Sequence, residues 1–271
     1  MRQYYFFITS LKDISLDSTR LPIGQQEFIS SLMDVIDPKD VFIFNALRYH
    51  FDNINLVNIL EKKDDWTQFG IHSREDLTEQ SKDPVNLPSY MKNFLESIRY
   101  EERLFPKLSL IDELTYRYYK YLQELPVPFL VEFVRFDMGI KNVATAISCR
   151  KYNLNAQENI LLLDEHSESL LQSNASDFGL IHDYEWLGEM LEAYENKTLV
   201  QREMTLAQMR FRFIEEKLLY DYFGINRIIS HYIKLFILER ILGWNEPKGR
   251  EIFENLTDRL SVDENIFTGL N

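Results

Sequence analysis

From Val41 to Leu60 the chain places an apolar residue at every third or fourth position: Val41, Phe44, Leu47, Phe51, Ile54, Val57 and Leu60. Only a helix brings that spacing onto one face. Asp37-Pro38 marks its start, since Asp caps a helix and Pro suits the first helical position. The spacing predicts a helix over about residues 38–63, with a kink near Asp52-Asn53. A chain of 271 residues with only 9 Gly and 8 Pro has too few tight turns for a β-sandwich.

The same period recurs along the chain. Phe28, Leu32 and Val35 mark a helix over 25–35, and residues 89–99 form a short one. Ser109 opens a longer helix carrying Leu110, Leu114, Tyr118, Tyr121 and Leu122. Pro126 and Pro128 interrupt it, and the next helix covers about 129–151 with Gly139 inside. Short helices are expected over 167–172 and 183–194, then a long stretch over 199–244 bent at Gly224. A last helix runs from Glu246-Pro247 to Leu260, followed by a loose tail. Residues 62–88 are polar, contain Gly70, Pro84 and Pro88, and read as a loop. Residues 4–10 read as a buried first element. The sum is an all-α chain, more than ~60% helical. It forms one helical protein over 1–271, a multi-helix array of about three related units, 1–86, 87–175 and 176–271.

Composition limits the function classes. A 45% hydrophobic, 14% aromatic chain can build a large core. The net charge of −13 argues against nucleic acid as a partner, because phosphate contacts need clustered Lys and Arg. The single cysteine, Cys149, cannot form an intramolecular disulfide and reads as a small buried hydrophobe. The apolar run at the N-terminus is followed by Lys12 and Asp13 with no small-residue cleavage site, unlike a signal peptide. Residues 225–244, the best membrane-span candidate, are broken by Arg227, His231, Lys234, Glu239 and Arg240. A cytoplasmic protein without direct membrane insertion is expected.

No familiar catalytic motif is present. The phosphate-binding patterns G-x-x-x-x-G-K-[ST] and G-x-G-x-x-G are missing, as are H-E-x-x-H, paired E-x-x-H and G-x-S-x-G. No catalytic residue, cofactor or metal is expected. Asp164-Glu165-His166 with Glu168 is the densest ligand-type cluster and reads as a solvated turn. His72 with Glu75 and His182 with Glu185 have helical spacing and read as surface or capping contacts. Residues 152–196 hold ten acids and no Lys or Arg. Asp164, Glu165, Glu168, Asp183, Glu185 and Glu189 form either an acidic face for a basic partner or a solubilising surface.

Three stretches share a pattern of an aromatic, an Asn, an apolar pair and a later basic residue. They start at Phe51-Asp52 with Asn55, at Phe136-Asp137 with Asn142, and at Phe223-Gly224 with Asn226. The Asn residues lie 87 (55 to 142) and 84 (142 to 226) positions apart. A near-constant period is what internal duplication produces. Each Asn would satisfy backbone groups at a helix contact, or meet a partner.

Together with Tyr4-Tyr5-Phe6-Phe7-Ile8-Thr9-Ser10-Leu11, Pro88-Ser89-Tyr90, Arg150-Lys151-Tyr152, Asp177-Phe178-Gly179-Leu180 and Glu239-Arg240, these stretches identify a resemblance. The chain resembles an uncharacterised bacterial family of similar length whose genes lie among those for V-type ATPase subunits. Through the Phe-Asp and Asn-Leu patterns it is also distantly similar to the C subunit of V-type ATPases, subunit d in eukaryotes. That subunit is all-helical, has three related units, caps the membrane rotor ring and receives the central shaft. The resemblance implies a non-catalytic subunit or accessory factor of a V-type ATPase or ATP synthase, a proton- or sodium-transporting complex. It would act as a central-stalk adaptor, with other ATPase subunits as partners, held at the inner membrane through the complex. The alternatives are a helical interaction or regulatory scaffold unrelated to the ATPase, and an enzyme whose helical site lacks familiar motifs.

Overall fold

The computed structural model describes residues 4–161 and 166–243. Among them 65% of positions are helical and no strand occurs, so the all-α expectation is met. The α-helices are α1 (Tyr5–Ser10), α2 (Gln25–Met33), α3 (Pro38–Leu60), α4 (Arg74–Lys82), α5 (Ser89–Arg99), α6 (Leu110–Gln123), α7 (Pro128–Tyr152), α8 (His166–Gln172), α9 (Leu187–Asn196), α10 (Leu199–Lys217) and α11 (Ile225–Leu242). The helix expected beyond Glu246 lies outside the described residues.

Helix starts follow their caps. The Asp37 side chain accepts from Lys39 N, Ser73 from Asp76 N and Ser109 from Asp112 N, and Thr198 forms a capping box with Gln201. Three helix ends do without glycine. Lys62 (φ 58°), Glu101 (φ 58°) and Asn153 (φ 54°) take the left-handed conformation after α3, α5 and α7. The following amides, Lys63, Glu102 and Leu154, bond back to the carbonyls of Asn58, Ser97 and Cys149 at 2.8–2.9 Å. These are Schellman-type closures that sparse glycine forces onto ordinary residues.

Four sequence expectations are corrected. Helix α3 is continuous through Asp52-Asn53. The 62–88 loop contains α4, on which Leu77 and Gln80 are the buried residues. The long 199–244 stretch is two helices, separated by residues 218–224. The first element is a short helix without buried residues: Phe6 is 86% exposed, and the inserted residue is Tyr4 just before it. The Tyr4 hydroxyl donates to Asp40 Oδ2 at 2.6 Å and accepts from Asp37 N.

Two apolar clusters form the interior. The larger gathers α2, α3, α5, α6, the first half of α7, part of α10 and α11. The smaller joins Ile140, Val143 and Ala146 of α7 to Leu187 and Met190 of α9 and to Leu206 and Met209 of α10. Thus α7 and α10 pass through both, and α11 returns to pack on α2. Cys149 is buried, as expected.

The buried face of α3 is partly polar. Arg48, Asp52, Asn55 and Asn58 follow helical spacing and bind the backbone of residues 65–72. Arg48 donates to the Phe69 and Gly70 carbonyls. Asp52 accepts from Ile71 N and His72 N at 2.9 and 3.2 Å. Asn55 donates to Thr67 O at 2.8 Å and accepts from Thr67 N at 2.9 Å, while Asn58 donates to Asp65 O. A Cβ at Gly70 would sit 2.3 Å from Asp52 Oδ1, so only glycine permits this approach.

Asn142 makes the same two-bond clamp on one residue. It donates to Leu161 O at 2.7 Å and accepts from Leu161 N at 3.1 Å. Asn226 differs: it sits at the start of α11 and donates to Asp221 Oδ2. Replacing Asn55 or Asn142 by Ala leaves the half-buried N–H and C=O of Thr67 or Leu161 unpaired. Each change is expected to lower unfolding free energy by about 2–4 kcal/mol, against under ~1 kcal/mol for Asn226→Ala, as read from urea denaturation. Equal losses at all three positions would contradict the clamp.

Candidate functional site

Where α3, α6, α7, α10 and α11 converge, they line a partly open cavity of about 140 Å³. Most of its wall is apolar: Leu47 and Phe51 from α3, Leu122 from α6, Leu130 and Val134 from α7, Ile233 and Ile237 from α11. One side is charged. Asp137 accepts from Arg210 Nε at 2.7 Å and from the Tyr119 hydroxyl at 2.9 Å, and lies 3.1 Å from Lys141 Nζ. Lys141 also donates to the Tyr119 hydroxyl. Arg240 joins the wall from α11, paired with Glu203 at 3.0 Å.

The electrostatics follow from burial and neighbours. Burial alone would raise the Asp137 pKa, but Lys141 and Arg210 together outweigh it and hold the carboxyl far below the usual range. Burial and the adjacent Asp137 push the Tyr119 hydroxyl well above its ordinary value. Burial lowers His50, also on the cavity wall, to about 4. A carboxylate held this firmly by two cations and a phenol is a poor proton acceptor, and the neutral His50 packs against Phe51, Tyr118 and Phe236. The arrangement holds Asp137 ionised between two cations. Among the described residues no group of three or more His, Cys, Asp and Glu could hold a metal.

The sequence-derived positions separate into groups. Phe51, Asp52, Asn55, Asp137 and Asn142 are all buried, but only Phe51 and Asp137 meet at the cavity. Phe136 points elsewhere, stacked on Phe213 at 4.3 Å and edge-on to Trp186. Gly139 makes room for that Trp: a Cβ there would lie 3.2 Å from the indole. Of the acidic face, Glu168, Asp183 and Glu185 are exposed, and Glu189 is paired with Arg212. Asp164 and Glu165 lie outside the described residues. His72 pairs with Asp76 at 2.5 Å rather than with Glu75, and His182 is exposed before α9.

Arg210, Lys141, Tyr119 and His50 escaped sequence reasoning. The signal for Arg210 was present, since Leu206, Arg210 and Ile214 are four residues apart and put a cation on the apolar face of α10. Lys141 stands one helical turn after Asp137.

A second surface feature lies at the junction of α1 with the loop between α10 and α11. Phe6, Tyr5, Phe223 and Tyr222 form a chain of ring contacts at 5.4, 4.8 and 6.2 Å between centroids. Phe6, Tyr220, Leu219 and Tyr222 are 86, 84, 58 and 57% exposed. No helix among the described residues is long and apolar enough to cross a membrane.

The family model for a protein of unknown function, DUF2764, matches residues 1–264, and the chain belongs to that family. No curated protein and no solved structure matches it.

Asp137→Asn leaves Lys141 and Arg210 without their shared anion. A loss of about 3–5 kcal/mol in urea unfolding is expected; a loss under ~1 kcal/mol would contradict the described pairing. Burial also lowers His231, stacked on Phe28, to about 4. With folded values below the unfolded ~6.5, His50 and His231 make stability fall as pH drops from about 6.5 to 4, by up to ~3 kcal/mol each. His231→Phe should flatten that slope, and an unchanged slope would count against a neutral buried imidazole.

Proposed function

We propose that this DUF2764 protein is a non-catalytic helical subunit or accessory factor of a V-type ATPase or ATP synthase, working as a central-stalk adaptor. The observation that carries the reading is the aromatic cluster of exposed Tyr5, Phe6 and Tyr222 around a half-buried Phe223, with exposed Leu219 and Tyr220 just before it in the chain. A folded chain rarely leaves contiguous aromatic surface to water, and such anchors supply most of the binding energy in protein interfaces. The resemblance of the sequence to a family encoded among ATPase genes supplies the partner, and the fixed, ionised Asp137 fits a binding role better than a catalytic one. In this reading the chain is cytoplasmic and peripheral to the inner membrane, reaching it through the other ATPase subunits. The acidic stretch would steer approach to a basic partner surface.

Purifying the native ATPase through another subunit is expected to recover this chain in stoichiometric amount by mass spectrometry. Its absence from a complex whose other subunits are all present would overturn the reading in favour of a scaffold unrelated to the ATPase. Phe6→Ala with Tyr222→Ala should cut recovery by at least about tenfold while helicity by circular dichroism stays unchanged.

A further inference from the structure

The central cavity has a charge problem that the protein does not solve by itself. Lys141 and Arg210 share one carboxylate, that of Asp137, while Arg240 is answered by Glu203. One positive charge therefore faces the cavity without an anion of its own. Arg210 is 7% exposed, and its Nη1 has no hydrogen-bond partner; the hydroxyl of Tyr232, 3% exposed on the same wall, has none either. Buried donors are nearly always satisfied, so two unsatisfied ones beside a surplus cation point to an absent acceptor.

Three properties define that acceptor. Its charge is a single negative one: a cation would be repelled by Lys141 and Arg210, and a dianion would bring a second charge that no side chain balances. Its polar end is planar with two acceptor oxygens, which suits a guanidinium and a neighbouring ammonium. Its body is apolar and compact, because Leu47, Leu130, Val134 and Ile237 also line the cavity and the volume is about 140 Å³. A cavity of about 150 Å³ lined by aliphatic and aromatic side chains accommodates benzene. We infer that this cavity is a binding site for a small monocarboxylate with a compact apolar body, of about the size of benzoate. The carboxylate faces Lys141 and Arg210, and the body rests on the aliphatic wall. The inference goes beyond an ATPase role and concerns the isolated chain, so each can fail without the other.

The test is calorimetric titration of the purified full chain with benzoate and with benzyl alcohol, which has a similar shape and no charge. Benzoate is expected to bind at one site, at least about tenfold tighter than benzyl alcohol. Lys141→Met, at a side chain 45% exposed and therefore tolerant of change, should weaken benzoate about tenfold and leave benzyl alcohol nearly unaffected. Val134→Phe fills the cavity and should abolish both. Should that variant fail to fold, intermolecular Overhauser effects from benzoate protons to the Leu47 and Ile237 methyls of the unmodified protein supply the location. The inference is overturned by absence of saturable benzoate binding at millimolar concentration, by equal affinity for the two probes, by binding that ignores Lys141→Met, or by contacts to other methyls.

Discussion

One buried carboxylate sets how the long helices meet. Asp137 stands near the middle of α7, where the larger apolar cluster gives way to the smaller. It holds Tyr119 of α6 and Arg210 of α10 at hydrogen-bond distance and Lys141 on its own helix. Apolar contacts alone tolerate sliding, because neighbouring ridges and grooves are similar. A desolvated charge does not, since a shift of one turn would leave ions buried without partners. The ion cluster therefore fixes the register of α6, α7 and α10, and the apolar clusters on either side supply most of the stabilisation. The same register leaves the cavity, because Arg210 and Lys141 occupy wall positions that aliphatic side chains would otherwise fill.

The connections are held by a second device. Arg48, Asp52, Asn55 and Asn58 turn one face of α3 into a partner for the backbone of residues 65–72, and Asn142 does likewise for Leu161. Glu113, fully buried, plays this part at the start of α6: it pairs with Arg103 and Arg117 and accepts from Leu104 N. Apart from the two Glu113–arginine pairs, each such bond answers a main-chain group that a loop against a core would otherwise leave unpaired. This is how a chain with few glycines and prolines packs long connections closely.

What could be read from the sequence follows from these two devices. Where a cap and an apolar period coincide, as at Asp37 before α3 and Ser109 before α6, the expected starts agree with the structure, and α5 spans the expected 89–99. Helix α4 was hidden because Leu77 is its one buried apolar residue, leaving only the Ser73 cap as a signal. Helix α9 begins later than expected because Phe178 and Gly179 take left-handed backbone and Tyr184 stacks on Trp186 in the turns that follow. The Asn pattern located two clamps, at Asn55 and Asn142, but its third member has other chemistry because Asn226 lies in the first turn of α11 rather than mid-helix. The ion cluster was only half legible. Asp137 was singled out, whereas Arg210 comes from a helix 73 residues away that periodicity describes as apolar.

The interior and the surface divide the roles. The cavity opens to solvent beside Lys141 and holds Asp137 and Arg210 buried in its wall, while the aromatic cluster at α1 and the α10–α11 loop faces outward. All of this rests on Asp137 being ionised and paired inside the protein. The direct measurement is a pH titration of its side-chain carboxyl carbon by nuclear magnetic resonance. The signal is expected to keep its ionised position through the ordinary aspartate range and to move only when the protein unfolds in acid. A reversible titration in the folded protein, with a midpoint near the ordinary value of 3.8, would contradict it.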